Sequence, residues 1–304
     1  MGIIRHDEHL LDRAAMLAMR GVLKVSAAPA IAPEGRAGYD ALTERTPSDE
    51  GVTWTAGQAG GVPGWLGHPA NAVPGRAILY LHGGCYVLGS AGAYRGLASQ
   101  VAVRARAAVF VADYRLAPEH PFPAAFDDAS RALDGLHAAG HAAIAVVGDS
   151  AGGGLALALL ASGSSSTPAV AAALFSPWVD LSLAGETLNS RADVDPILSR
   201  GALQQGADQY LQGADPGDPR ANAMSGDLSS LPPIRIDVGD DEVLLDDALR
   251  FGADADAANV RCEVHVWEGM VHVFPGNVSM LKAASEALDA VGAFLESAFI
   301  ASAA

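Results

Sequence analysis

One stretch of sequence, residues 142–155, constrains the fold of this chain more than any other. It reads Ala-Ala-Ile-Ala-Val-Val-Gly-Asp-Ser-Ala-Gly-Gly-Gly-Leu. An apolar run ends at Gly148, Ser150 follows between small residues, and an alanine- and leucine-rich segment typical of a helix comes next. A Gly-x-Ser-x-Gly pentapeptide between a strand and a helix indicates a nucleophile elbow, a sharp turn that raises the serine hydroxyl above the end of a sheet. The N–H of Ala151 would begin the helix, where amides lack an intrahelical partner and can bind an anion.

Composition and charge narrow the class of protein. With 304 residues the chain can form one large α/β domain or two small ones, and half of its residues are hydrophobic. A net charge of −16 argues against nucleic acid and anionic membranes as partners. Two cysteines, Cys85 and Cys262, are too few for a disulfide framework, and no segment has the apolar character of a signal peptide or a membrane span. These features predict a cytoplasmic protein that does not insert into membranes.

An alternation of apolar runs and helix-like segments predicts a mostly parallel sheet. Five runs are mostly apolar, as strands buried on both faces are: 77–81, 108–112, 144–147, 170–175 and 234–238. Helices are expected between them at 93–105, 123–139, 151–162 and 244–258, followed by a last strand at 262–267 and a closing helix at 280–299. Two short strand-like runs within 51–66 fit an antiparallel edge. The sequence therefore predicts a doubly wound α/β fold.

The N-terminal segment lies outside this alternation. Residues 7–24 carry apolar side chains at helical spacing and predict an amphipathic helix. Residues 26–50 hold several prolines and glycines and are expected to form a loop or a broken helix. The polar residues at 6–9 are expected to be a solvated first turn rather than a metal site.

A long insertion also breaks the alternation. About fifty residues separate the strand that ends near Trp178 from the strand at Ile234, where a crossover needs about a dozen. Residues 201–211 within it predict a helix. Because the insertion follows a strand at the edge that carries Ser150, we expect it to be a lid.

Candidates for a general base and an orienting acid follow the last two strands. His272 lies in the loop after the last strand, which reaches the same edge as the elbow, so it is the best candidate for the base. His265 lies within that strand and is expected to face one side of the sheet. Several carboxylates follow the strand at 234–238, namely Asp240, Asp241, Glu242, Asp246 and Asp247. Most of them are expected to be a solvated helix start, and the residues alone leave the acid open.

A glycine-containing turn upstream of the elbow suits an oxyanion site. His82-Gly83-Gly84-Cys85 directly follows the strand at 77–81. Its glycines let the backbone turn N–H groups towards a developing negative charge.

Three motifs in the chain occur together in one known family. They are His82-Gly83-Gly84-Cys85-Tyr86, then Asp-Tyr-Arg-Leu-Ala-Pro-Glu-His-Pro-Phe-Pro-Ala at 113–124, and Gly-Asp-Ser-Ala-Gly at 148–152. In these motifs the chain resembles the hormone-sensitive-lipase family of α/β-hydrolase esterases, with the bacterial branch (family IV) matching best. Residues 176–182 and 270–272 fit the same pattern. The resemblance implies a mostly parallel eight-stranded sheet with helices on both faces, a helical cap and no cofactor or metal.

The resemblance also implies a domain organisation. It predicts an N-terminal cap segment at 1–45 and a cap insertion at 182–225. The catalytic core would then comprise residues 46–181 and 226–304.

Specific residues carry over from the family. The position of the family's acid falls on Glu242, 30 residues before His272, with Asp241 and Asp246 as alternatives. The carried-over oxyanion donors are the N–H groups of Gly83, Gly84 and Ala151. Cys85 stands where the family commonly has a third glycine, and we expect it to be a small packed residue rather than a nucleophile. The stretch 113–124 is predicted to be a rigid loop with an Arg115–Glu119 ion pair that braces the elbow.

These residues together predict a serine carboxylesterase for short- to medium-chain acyl esters. Ser150 would attack the acyl carbon, His272 would move the proton, and Glu242 would hold the imidazole. The expected partner is a small-molecule ester, and a homodimer is an open possibility. Two alternatives remain: an amidase or lactonase with the same triad, and a non-catalytic small-ligand receptor on this fold.

Overall fold

A nine-stranded sheet forms the centre of the protein in a computed structural model that describes residues 2–25 and 28–303. Of residues 24 and 25, the structure describes only the backbone. Residues 1, 26, 27 and 304, which the predictions for 1–45, 26–50 and 226–304 include, lie outside the described residues.

The strands follow one another along the chain as the sequence predicts, with one addition at the start. They are β1 (Gly2–His6), β2 (Val52–Ala59), β3 (Val62–Pro69), β4 (Arg76–Leu81), β5 (Ala108–Ala112), β6 (Ala143–Asp149), β7 (Ala172–Phe175), β8 (Ile234–Gly239) and β9 (Cys262–Trp267). Their order in the sheet is β1-β9-β8-β7-β6-β4-β5-β3-β2. Strand β3 pairs antiparallel with both β2 and β5, and the remaining pairs are parallel. This is the α/β-hydrolase arrangement that the motifs predict.

Helices cover both faces of the sheet. They are α1 (Leu10–Val25), α2 (Arg36–Thr43), α3 (Arg95–Ala105), α4 (Ala124–Ala138), α5 (Ser150–Ser162), α6 (Thr187–Ser190), α7 (Arg200–Leu211), α8 (Leu245–Ala257) and α9 (Lys282–Ala301). Buried side chains of α3 and α9 pack on one face, and those of α4, α5 and α8 pack on the other. Strands β4 to β8 are buried almost throughout, which explains their apolar runs. Within the described residues, no helix is both long and apolar enough to cross a membrane.

Strand β1 is the ninth strand, one more than the resemblance implies. It pairs parallel with β9 and extends the sheet at that edge. The ring of His6 stacks on Trp267, with centroids 3.8 Å apart, and its Nε2 lies 2.9 Å from Nδ1 of His265. The prediction of a solvated turn was therefore wrong for His6, because its ring finds partners in a strand some 260 residues away.

The ends of the central strands meet at one edge of the sheet. Leu81 pairs with Gly148, and Asp149 pairs with Phe175. Gly239 pairs with Trp267 at the ends of β8 and β9. The loops that carry the candidate site residues therefore leave the sheet side by side.

The loop at 113–124 is ion-paired, but with partners other than those predicted. Arg115 bonds the buried carboxylate of Asp128, with Nη2 2.7 Å from Oδ1, and Glu119 bonds Arg36, also at 2.7 Å. The expected Arg115–Glu119 pair was wrong, because each side chain reaches a partner on a different helix, α4 and α2.

Candidate active site

The turn from β6 to α5 is a strained elbow that begins the helix with Ser150. Ser150 has a φ of +50°, in the left-handed region that residues with a Cβ rarely adopt. A Cβ on Gly148 would lie 2.5 Å from the carbonyl oxygen of Gly152, and one on Gly152 would lie 2.1 Å from that of Leu81. Both positions therefore require glycine, which is the physical reason for the spacing of the motif.

A short hydrogen bond joins the candidate base to one of the candidate acids. Nδ1 of His272 lies 2.7 Å from Oε2 of Glu242, and both side chains are buried. Because a carboxylate can only accept, Nδ1 carries the proton, and Nε2 is left to accept one. This is the tautomer that a general base beside a serine requires.

Ser176, at the end of β7, fixes the acid and the base loops to each other. Its hydroxyl donates to Oε1 of Glu242 at 2.7 Å and accepts the N–H of Val273 at 3.0 Å. The N–H of Gly239 also donates to Oε1 of Glu242, at 2.7 Å. Sequence reasoning gave Ser176 no role, although the Ser-Pro-Trp motif after a strand was a signal that could have marked it.

The surroundings of His272 favour the protonated imidazole, unlike those of a buried histidine without charged neighbours. Burial lowers the pKa of His272, but the hydrogen bond and charge of Glu242, with the charges of Asp195 and Asp149, outweigh it and raise that pKa. Burial raises the pKa of Asp149 to about 6, against hydrogen bonds from Tyr94 and Tyr80 and the charge of His272. Asp149 directly precedes Ser150, so the charge of His272 acts on the residue before the elbow serine.

The other carboxylates after β8 have partners elsewhere. Asp241 pairs with Arg20 of α1 at 2.6 Å, and Asp246 accepts the N–H of Glu186 at 3.0 Å. Asp240 accepts the N–H of Gly269, and the buried Asp247 accepts two N–H groups of the chain after β7. Asp240, Asp241 and Asp246 are half-buried and Asp247 is buried, and each has a partner in the protein, so the predicted solvated helix start is only partly solvated. Of this cluster, Glu242 is the member that contacts His272.

The predicted oxyanion donors need one correction. The N–H of Gly83 donates to Oδ1 of Asp149 at 3.1 Å, so it is already paired inside the protein. In the described part of the chain, the N–H groups of Gly84 and Cys85 have no protein acceptor, and Ala151 lies in the first turn of α5, where an N–H has none within the helix. Asp149 instead holds the turn in place, with Tyr80 and Tyr94 as its other donors at 3.0 Å.

Comparison with known proteins gives this arrangement a family. The alpha/beta hydrolase fold family matches residues 78–276. An acetyl-hydrolase of Streptomyces hygroscopicus is 41% identical, over 74% of this chain and 76% of its own. An esterase of Acinetobacter venetianus is 36% identical, over 75% and 77%. A crystal structure of an esterase from the bacterial hormone-sensitive lipase family superposes with a TM-score of 0.89 at 33% identity, covering 95% of this chain and 99% of that one.

The chain belongs to the hormone-sensitive-lipase family of α/β-hydrolase esterases. It is a carboxylic-ester hydrolase, which sets aside the receptor alternative.

Cys85 is a departure from the family's usual glycine, and helix α7 leaves room for it. Its φ is +56°, and its buried side chain lies under helix α7. A Cβ added to Gly206 of α7 would lie 2.8 Å from Cβ of Cys85 and 3.1 Å from its carbonyl oxygen. Burial raises the pKa of the Cys85 thiol to about 12, so the thiol stays protonated at neutral pH. The side chain of Cys85 therefore fits because residue 206 of α7 is a glycine.

We expect Gly206→Ala to impair the hydrolase and Cys85→Gly to restore it. The new methyl group would push the turn at Cys85 and cost about 1–3 kcal/mol of stability, with a loss of kcat because the neighbouring N–H groups shift. In the double variant the 2.8 Å contact with Cβ of residue 85 is gone, and the 3.1 Å approach to its carbonyl oxygen needs only a small shift, while glycine adopts a φ of +56° without strain. The measurements are kcat/KM for p-nitrophenyl acetate and Tm.

Gly201→Ala is the matched control on the same helix. A Cβ there would meet only the hydroxyl of Ser199, at 3.9 Å, so activity should stay at the wild-type level. Unchanged activity and Tm in Gly206→Ala, or no recovery in the double variant, would show that this packing has no bearing on the turn.

Proposed function

We propose that this esterase hydrolyses short- to medium-chain acyl esters through an acyl-enzyme on Ser150. The observation that carries the proposal is the 2.7 Å bond between His272 and Glu242, at the same edge of the parallel sheet as the strained elbow at Ser150. His272 would take the proton from the Ser150 hydroxyl as the oxygen attacks the acyl carbon, and would return it to the leaving alcohol. Water, activated by the same imidazole, would then hydrolyse the acyl-enzyme.

Each remaining group has a defined part in this reaction. Glu242 would orient the imidazole and stabilise the imidazolium that forms during attack. The N–H groups of Gly84, Cys85 and Ala151 would bind the oxyanion of the tetrahedral intermediate. Gly83 is left out of this set because its N–H bonds Asp149.

The substrate class follows from the cap that we propose over the site. Of the predicted cap segments 1–45 and 182–225, we propose that α1, α2, α6 and α7 form the cap, while β1 belongs to the sheet. Ser150 is 4% exposed and His272 is 8% exposed, which supports a closed pocket for small esters. The name of the Streptomyces relative, an acetyl-hydrolase, also favours short acyl groups. The free, buried cysteines Cys85 and Cys262 support the predicted cytoplasmic location.

A series of p-nitrophenyl esters tests the chain length. We expect kcat/KM to be highest between about C2 and C8 and to fall for longer chains, because a buried nucleophile admits only a chain that fits the pocket. A burst of p-nitrophenol in the first turnover would report the acyl-enzyme. An optimum at C16, with activation at an emulsion interface, would overturn the assignment.

A further inference from the structure

The loop that carries Glu242 is held by residues of the insertion at 182–225. It connects β8 to α8, and Val243 directly follows the acid. The N–H of Val243 donates to Oδ2 of Asp195 at 2.9 Å, and its carbonyl oxygen accepts the hydroxyl of Thr187 at 2.7 Å. Both backbone polar groups of the residue after the acid are therefore bound by the insertion.

The side chain of Asp195 is also held by hydrogen bonds within its own turn. Its Oδ1 accepts the N–H groups of Ile197 and Leu198, at 2.8 and 2.9 Å, and it is 9% exposed. Only Oδ2 extends to Val243. Because both of its oxygens are hydrogen-bonded, this carboxylate has a fixed orientation, unlike a charged side chain on the surface.

Thr187 adds a second connection at the start of α8. Its hydroxyl accepts the N–H of Asp246 at 2.9 Å while it donates to Val243. The hydroxyl therefore links Val243 to the first turn of α8. Together, Asp195 and Thr187 make three hydrogen bonds to the backbone between Val243 and Asp246.

We propose that Asp195 and Thr187 are positioning residues that hold Glu242 in register with His272. The insertion then does more than cover the pocket, because it completes the orientation of the triad. This inference rests on the proposed triad and adds two residues that the reaction chemistry itself does not require.

The charge of Asp195 should also affect the pH dependence of activity, which a residue that only packs against the loop would not do. It is one of three carboxylates whose charges raise the pKa of His272, with Glu242 and Asp149, against the effect of burial. The base must be neutral to accept the proton of Ser150, so activity falls as the pH drops through the pKa of His272. Removing the charge of Asp195 makes the imidazolium less stable, lowers that pKa and moves the acidic limb to lower pH.

The first variant is Asp195→Asn. Its amide oxygen can still accept from Ile197 and Leu198, but an NH₂ group then faces the N–H of Val243 and that bond is lost. We expect kcat to fall about 10- to 100-fold, because a displaced acid misaligns the base. The acidic limb of kcat/KM should move to lower pH, because a negative charge that favours the imidazolium is removed.

Thr187→Val tests the same loop without changing a charge. It keeps the shape of the side chain but leaves the carbonyl group of Val243 and the N–H of Asp246 unpaired. We expect a fall in kcat of about tenfold, with a smaller shift of the acidic limb than Asp195→Asn gives because no charge is removed, and Thr187→Ser should keep wild-type kcat because it keeps the hydroxyl. This pair of variants decides the question if Asp195→Asn does not fold.

Asp215→Asn is the control for a cap carboxylate that stays within its own turn. Asp215 accepts the N–H of Gly217 and is exposed, so neither kcat nor the pH profile should change. If Asp195→Asn and Thr187→Val fold and keep wild-type kcat and pH profile, the inference fails. If Ser150→Ala or Glu242→Gln also stays active, the proposed triad fails instead, so the two failures are distinguishable.

Discussion

Ser150→Ala should lower kcat by about 10⁴-fold or more while the protein stays folded. The hydroxyl is the only group at the elbow that can form the acyl-enzyme in the proposed reaction. Removing it leaves at most the catalysis that comes from substrate binding and the oxyanion donors. Alanine keeps the Cβ that the strained backbone already accommodates at a φ of +50°. The measurement is kcat for p-nitrophenyl acetate together with Tm.

A second serine on the same helix provides the control. Ser162, at the end of α5, donates only to the carbonyl oxygen of Leu159. Ser162→Ala should therefore keep wild-type kcat. If Ser150→Ala retains more than a tenth of wild-type kcat, the elbow is not the site of the nucleophile.

Glu242→Gln should be nearly as damaging, because each oxygen of this buried carboxylate accepts a hydrogen bond. Oε2 accepts from His272, and Oε1 accepts from Ser176 and Gly239. A glutamine must turn its NH₂ group towards one of these donors, and it cannot stabilise the imidazolium. The loss expected for removing the orienting carboxylate is about 10⁴-fold in kcat, with the fold retained.

Two neighbouring carboxylates serve as controls for the acid. Asp241 pairs with Arg20 near the surface, and Asp246 accepts the N–H of Glu186. Asp241→Asn should cost about 0–1 kcal/mol of stability, as partly exposed pairs do, and change kcat little. Asp246→Asn should be similarly mild. If Asp241→Asn loses its activity while Glu242→Gln stays active, the acid of the triad is Asp241 and not Glu242.

The central strands could be predicted because each leaves its own pattern in a short stretch of sequence. A strand buried on both faces needs an apolar run, and residues 108–112 form β5 over the predicted range. Strand β1 was missed for the opposite reason. Gly-Ile-Ile-Arg-His has no turn or neighbouring strand beside it in sequence, and its partner β9 lies at the other end of the chain. No local pattern reports such a pairing.

The candidate site also has a part that the sequence predicts and a part that it does not. Ser150 and His272 follow strands and lie in recognisable motifs, and the family register selects Glu242 from its cluster. The hydrogen bond between Gly83 and Asp149 is different, because it joins two loops that are 66 residues apart. The contacts of Asp195 and Thr187 with Val243 also join distant segments. Contacts of this kind depend on side-chain directions that spacing alone does not give.

The pairing of β1 with β9 sets an order of assembly during synthesis. Gly2 pairs with Glu263, so the first strand emerges from the ribosome about 13 to 50 s before its partner, at 5–20 residues per second. The inner side of α1 has the same constraint, because Met16 packs against Trp267, Met270 and Phe274. Strand β1 and helix α1 must therefore wait until β9 has been made. We expect nascent chains that end before β9 to leave β1 and α1 open to proteases and chaperones.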